Sequence, residues 1–344
     1  MKIIRTLPGI GLSTAIAVIA LWLEGLLPIH IIGASVIAIF IGMTLNYFFR
    51  RTDVFNSGAR FTSKKILKFA IVLLGLSLKI DTIFEVGKIS LLVMAFTLLT
   101  CFGGGYLIGK ALKLNWKLSN LISAGTGICG GSAIAAIAPT IDADDNDVAY
   151  AMSATFLFDM AMILLFPIMG RVLGMTDVAF GLWAGTAVND TSSVVATGYA
   201  FSESAGDFAT MVKLTRTLSI IPTVLVFAFV NLGLKRKQAK LNGLDERALK
   251  AKFSIKKIFP WFIVAFVTMS IVTSMFTIPS GVVVYTKSAS KFLMVAALAA
   301  IGLNTSFSSM KKSGIRPMLH GFIISALVVI VALIVEIAMG IVTF

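Results

Sequence analysis

Two stretches of this chain carry the groups most capable of chemistry, and they echo each other. GTGICGGSAIAA (Gly125 to Ala136) and GTAVNDTSSVVA (Gly185 to Ala196) align at an offset of 60, sharing Gly-Thr, Ile/Val, Ser, Ile/Val and Ala in equivalent places. Each interrupts an apolar run with glycine, hydroxyl or amide groups. Lipid satisfies no hydrogen bonds, so backbone that leaves the helical path inside a bilayer must be buried in protein or line a watery cavity. Corresponding broken helices point to a transporter's substrate site. The substrate-contact candidates are therefore Thr126, Gly127, Cys129, Gly130, Gly131 and Ser132 in the first break, with Asn189, Thr191, Ser192 and Ser193 in the second. Glycines let backbone N–H groups approach a ligand, and an exposed helix N-terminus attracts anions. Close helix packing through small residues is the plainer reading of the same glycines.

The charges buried in apolar sequence are the second signal. Asp159 sits near the middle of ATFLFDMAMILLF, too deep to reach either surface. An Asp at a helix centre costs about 2.5–3.5 kcal/mol even on the lenient insertion scale. It is read as an ion-coupling group, or as a hydrogen-bond partner for a broken helix. Asp190 lies in Asn189-Asp190-Thr191-Ser192-Ser193, where short polar residues after a break resemble a helix cap. Its sharper reading is titration, which makes Asp159 and Asp190 the coupling candidates for H⁺ or Na⁺. Lys213 and Arg216, three residues apart, share one helical face. Lys213 is about 8 Å from a span end and within snorkelling reach. The pair serves as charge partner to the two acids or to a bound anion. Glu336 is expected to snorkel, and His30 and His320 to lie at the interface. No HExxH, CxxC, P-loop or nucleophile-elbow pattern occurs, so no metal or cofactor is expected.

These groups need elements to hold them in a bilayer. The 344 residues are 58% hydrophobic and 13% charged, with mean hydropathy +0.96; soluble domains carry roughly 25% charged residues. The pattern predicts an all-α polytopic membrane protein, a single domain over residues 1–344. Eleven spans are expected, at 8–25, 30–49, 66–80, 89–110, 118–139, 148–170, 179–200, 208–234, 258–277, 288–308 and 317–343, each near the length that crosses hydrocarbon. On that topology 24 of the 30 Lys and Arg fall on one side, including Arg171 and the block Lys235 to Lys257, while Lys79, Lys88, Lys287 and Lys291 fall on the other. By the positive-inside rule the N-terminus is cytoplasmic and Phe344 external. The net charge of +14 is thus a topology signal with affinity for anionic lipid, not a nucleic-acid footprint. Asp142, Asp144, Asp145 and Asp147 form an external acidic loop. Cys101 and Cys129 both lie in spans and form no disulfide framework. The N-terminal apolar run lacks a small-residue cleavage site and is taken as a retained first span. The loop 235–257 is read as a basic cytoplasmic helix.

A second echo has an offset of 227, with Lys64, Gly75-Leu76 and Gly87 matching Lys291, Gly302-Leu303 and Gly314. It joins the third and tenth spans, which run in opposite directions, the signature of inverted repeats. The fifth and seventh spans run in the same direction on this topology. The two echoes therefore call for different symmetry operators.

At GTGICGGSAIAAIAP (Gly125 to Pro139) and NDTSSVVATG (Asn189 to Gly198), the chain resembles the YeiH-like family of bacterial membrane proteins, commonly labelled sulfate exporters. LGLSL (Leu74 to Leu78), the long basic loop and IGLNT (Ile301 to Thr305) extend the resemblance over nearly the whole chain. It implies a bacterial cytoplasmic-membrane protein of the bile-acid/sodium and sodium/proton antiporter-like superfamily. Two crossed, broken helices would form a core that moves against a scaffold, and a homodimer is implied. Sulfate is likewise implied by the label and not by the residues.

The expected function is a secondary active transporter of a small anion, working by alternating access from a midplane site, and not an enzyme. A channel or facilitator would show a polar stripe across several helices, whereas polarity here is concentrated at one depth. An intramembrane metal-dependent transferase would need a carboxylate cluster at a membrane face.

Overall fold

The computed structural model describes residues 6–26, 34–49, 54–241, 260–276, 278–305 and 314–342. All regular structure among them is helical. The first half comprises α1 (Leu7–Leu26), α2 (Ala34–Phe49), α3 (Asn56–Phe61), α4 (Leu67–Leu74), α5 (Ile80–Leu99), α6 (Gly105–Ala111), α7 (Trp116–Ala124) and α8 (Gly131–Ile137). The second comprises α9 (Asp145–Val172), α10 (Asp177–Ala187), α11 (Thr191–Phe201), α12 (Glu203–Leu218), α13 (Ile220–Leu241), α14 (Trp261–Met275), α15 (Ser280–Asn304) and α16 (Ile315–Ala338). Single π-helical turns join α3 to α4 and α5 to α6. Among the described residues, six helices are long and apolar enough to cross a membrane: Leu7–Leu26, Ile80–Ala111, Asn146–Val172, Glu203–Lys237, Ser280–Asn304 and Ile315–Ala338. Ala34–Phe48 and Trp261–Met275 are shorter apolar helices.

The helices sort into two groups by their contacts. In the first, α1, α2, α3, α4, α14 and α15 pack on one another. Their seam is rich in alanine, with Ala17, Ala20, Ala38, Ala296, Ala299 and Ala300 all buried. Small side chains let backbones come close where lipid supplies no hydrophobic drive between helices. At Gly302 an added Cβ would strike the Ile39 carbonyl. The second group holds α5 to α13 and α16.

Two segments depart from the expected crossing. The chain through α7 and α8 turns back on itself. Lys117 Nζ donates to the Asp142 carbonyl at 2.6 Å, Asn115 Nδ2 donates to Asp147 at 3.0 Å, and Lys235 pairs with Asp142 at 2.5 Å. The loop carrying Asp142 and Asp147 thus lies beside basic residues at the end where the segment began, not at the opposite end. The chain through α10 and α11 also turns back. Ser202 Oγ donates to Asp177 at 2.7 Å, the rings of Phe180 and Phe201 stack at 4.0 Å, and Arg171 donates to the Ala200 carbonyl at 3.0 Å. Between the two bases runs α9, 28 residues or about 42 Å of helix, so the two hairpins are rooted at opposite ends of the molecule. Arg171 accordingly sits at the end away from Lys117 and Lys235. An apolar run of some twenty residues satisfies the same hydropathy rule whether it crosses once or folds into two short arms, which is why the sequence reads as a span. Of the basic loop 235–257, residues 235–241 continue α13; the rest, with His30 and Phe344, lies outside the described residues.

Candidate functional site

The hairpin tips are the two echoing motifs. The first arm unwinds from α7 into a π-helical turn, Gly125–Cys129, and Gly130 then reverses the chain at φ 62° and ψ −133°. Such positive φ is nearly free for glycine and strained for other residues. The second tip is an extended break, with Val188 at φ −76°, ψ 138° and Asp190 at φ −86°, ψ 146°. The tips touch: a Cβ added to Gly130 would lie 2.8 Å from the Asp190 Cβ.

Breaking two helices in mid-protein leaves orphan carbonyls at their C-terminal ends and orphan N–H groups at their N-terminal ends. The four deep charges answer these in kind. Arg216, fully buried on α12, donates from Nε to the Gly127 carbonyl at 2.6 Å and from Nη2 to the Thr126 carbonyl at 2.7 Å. Its Nη1 donates to the Thr186 carbonyl. Thr126 and Thr186 are equivalent positions of the two motifs, so one guanidinium ties the same carbonyl in both. Lys213 Nζ donates to the Val188 carbonyl at 2.9 Å. Asp159, fully buried on α9, accepts the N–H of Asn189 at 3.0 Å and that of Asp190 at 2.9 Å. Cations at half-helix C-termini and a carboxylate at an N-terminus match the helix dipoles. Asp190 caps α11, accepting the Ser192 N–H at 2.9 Å and the Ser192 hydroxyl. Lys213, within snorkelling reach by its place in the sequence, has no exposure and binds inward.

Between the two helix groups lies a cavity of about 1280 Å³. Eight of the predicted site residues line it: Cys129, Gly130, Gly131, Ser132, Asp159, Asp190, Thr191 and Ser192. Six do not. Thr126 and Gly127 present carbonyls to Arg216, Asn189 is buried with its amide 3.3 Å from Ser325 Oγ, Ser193 is buried, and Lys213 and Arg216 stand behind the tips. The opposing wall comes from the first group and includes Lys64, Lys68, Phe262, Asn304 and Thr305. Lys68 Nζ stands 5.3 Å from the Phe262 ring centroid, a cation–π distance. In the sequence Lys64 belongs to the offset-227 echo, and both Lys64 and Lys68 count among the 24 basic residues assigned to one side. Their i, i+4 spacing, one helical face at a span edge, is the signal for a shared wall. His320 is not interfacial; it is buried, with Nε2 3.0 Å from the Gly105 carbonyl and 3.2 Å from Ser119 Oγ.

Comparison with known proteins gives one consistent match. The family model described as conserved hypothetical protein 698 matches residues 8–321. A UPF0324 membrane protein of Clostridium tetani is 56% identical over 334 residues, covering 96% of this chain and 97% of the relative. One from Streptococcus pyogenes is 41% identical, covering 98% of each chain. A third, from Fusobacterium nucleatum, is 40% identical over 85% of this chain and 87% of its own.

Proposed function

The chain belongs to the family of conserved hypothetical protein 698, the YeiH-like family its motifs resemble, and we propose that it is a secondary transporter of a small anion. On this reading nine helical passages cross a bacterial cytoplasmic membrane and α7–α8 and α10–α11 are re-entrant hairpins, with the basic end cytoplasmic and the C-terminus external. Hairpins entering from opposite ends give the offset-60 echo the sense of an inversion, like the offset-227 echo. Asp147 and Asp207, 60 apart, support this pairing: each accepts a hydrogen bond at its hairpin's base, from Asn115 at 3.0 Å and from Tyr199 at 2.5 Å.

The observation that carries the proposal is the meeting of the two tips at the deep end of a cavity between two helix groups. The cavity reaches the tips from the end bearing Lys64, Asn304 and Thr305. Beyond Asp190 the body of α10 and α11 is solid, with Ala184, Ala187, Val194, Val195 and Ala196 unexposed. At that far end Lys287 of α15 pairs with Asp207 at 2.9 Å and Glu203 at 3.3 Å of α12, tying the groups together. A passage open at one end and sealed at the other suits alternating access better than a channel. Lys64 and Lys68 supply positive charge, and Ser132, Thr191 and Ser192 supply hydroxyl donors, for an anion entering the cavity. Asp159 and Asp190 are the carboxylates positioned to couple its movement to H⁺ or Na⁺.

The test is flux of labelled sulfate into proteoliposomes, with and without an imposed pH gradient. Gradient-dependent uptake, competed by other oxyanions and lowered by Lys64→Ala and Lys68→Ala, is expected. If sulfate, carboxylates and sulfonates all fail to move through correctly inserted, folded protein, the anion-transport reading falls.

A further inference from the structure

The way the cavity wall spends its hydrogen-bond donors narrows what can fill it. Sulfate carries two charges, and taking such an ion out of water requires donors to replace its hydration. Most hydroxyls of the wall are already committed. Those of Ser63, Thr140, Ser153, Thr155, Thr217 and Thr305 each donate to a carbonyl three or four residues back in the chain. Ser192 is held by Asp190. Asn304 Nδ2 donates to the Ala300 carbonyl at 2.9 Å and to Ser63 Oγ at 3.4 Å. Among the described side chains of the wall, the donors left are the ammonium groups of Lys64 and Lys68 and, at the tips, the hydroxyls of Ser132 and Thr191. Neither lysine pairs with a described acid. Glu336, which the sequence places within snorkelling reach, is instead buried on α16 and forms no part of this wall.

Between the lysines and the tips the wall turns apolar. Ile71 follows Lys68 by three residues on α4, Phe156 precedes Asp159 by three on α9, and Ile301 precedes Asn304 by three on α15. Each offset is about 4.5 Å of helix rise, so both helix groups put an apolar side chain at intermediate depth. Phe262 stands beside Lys68 at the upper edge of this zone. Below it lie the carboxyl groups of Asp159 and Asp190, which disfavour a second negative charge. The cavity, about 1280 Å³, exceeds the roughly 300–1,000 Å³ of pockets that hold drug-sized organic molecules. Such pockets are walled mainly by apolar side chains with a few placed polar groups, and this wall has that character.

We propose that the cavity takes an amphipathic organic anion in preference to sulfate, with a single carboxylate or sulfonate head at Lys64 and Lys68 and an apolar body along Ile71, Phe156 and Ile301. The inference rests on the anion-transport reading and names its substrate class.

Uptake of labelled alkanesulfonates from methyl to hexyl, beside sulfate, into proteoliposomes tests it, because the head stays ionised and only the chain varies. The half-saturating concentration is expected to fall with chain length, by up to about fourfold per methylene buried, and to end below that of sulfate. Phe156→Ser and Ile301→Ser are expected to flatten this slope. Should either fail to fold, the series on the unaltered chain stands as the test. A flat or rising series, with sulfate taken up best, overturns the proposal and leaves anion transport standing. No flux of any anion through folded, inserted protein brings down both. An anionic lipid offers the same chemistry, so the series is run with and without phosphatidylglycerol in the liposomes. Equal uptake in the two is expected; loss of sulfonate uptake when that lipid is added would make lipid the occupant and overturn a soluble substrate.

Discussion

At the scale of single residues, Asp159 and Asp190 meet at one crossing but do different jobs. Both Asp159 oxygens are taken by backbone N–H groups. In Asp159→Asn an amide NH₂ would face one of those donors, leaving a buried N–H unmatched at about 1–3 kcal/mol. A lowered melting temperature is expected beside any loss of flux, so this variant does not isolate coupling. Asp190 is an N-cap, and Asn caps about as well as Asp. Asp190→Asn is therefore expected to stay within roughly 0.5 kcal/mol of the parent in thermal unfolding while losing gradient-driven uptake. Normal proton-dependent flux in Asp190→Asn would remove it from the coupling scheme. Arg216 admits no conservative exchange, because a lysine ammonium lacks the planar fork that reaches three carbonyls on two hairpins. Arg216→Lys should destabilise by about 1–3 kcal/mol for each carbonyl left bare, read as a drop in detergent melting temperature.

At the scale of elements, the hairpins make two claims that can be checked without a substrate. Gly130 holds positive φ against Asp190, whereas a Cβ on Gly131 would meet nothing closer than Met152 Cε at 4.0 Å. Gly130→Ala should cost roughly 1–3 kcal/mol in backbone conformation alone, with the clash added, and Gly131→Ala should melt near the parent. Equal effects would mean the first tip is not built this way. The second claim is topological. In a Cys101→Ala, Cys129→Ala background, an impermeant thiol reagent on the cytoplasmic face should label Ala143→Cys, and one on the external face should label Val172→Cys. Labelling of both positions from the reverse faces would restore the crossing-helix topology and undo the hairpins.

At the scale of the whole molecule, the two helix groups are tied at one end and parted by a cavity at the other. The tie is the Lys287 pair with Asp207 and Glu203, with Lys287 about one-third exposed. A pair so placed is worth at most about 1 kcal/mol, or about fivefold in a population. Lys287→Ala should therefore slow cytoplasmic-side labelling of Ile301→Cys, which lines the cavity, by no more than that factor. An unchanged rate would mean the pair does not help hold the cavity open.

The sequence by itself determined the class of the molecule and singled out the residues that meet at the crossing of its two hairpins. Lipid penalises every unpaired polar group, so the echoing breaks, Asp159, Asp190, Lys213 and Arg216 stand out from an apolar chain before any fold is known. Only the tertiary structure decided which of them faces the cavity and which holds the backbone. Lys213 and Arg216 read equally well as anion ligands until their carbonyl partners, 25 to 90 residues away in sequence, are in view. The fold-back of both motif-bearing segments was visible only there too, since hydropathy counts apolar length and is blind to direction. A run that crosses and a run that folds back carry the same composition. What separates them is contact between distant segments, Lys117 with Asp142 and Ser202 with Asp177, which no local pattern encodes.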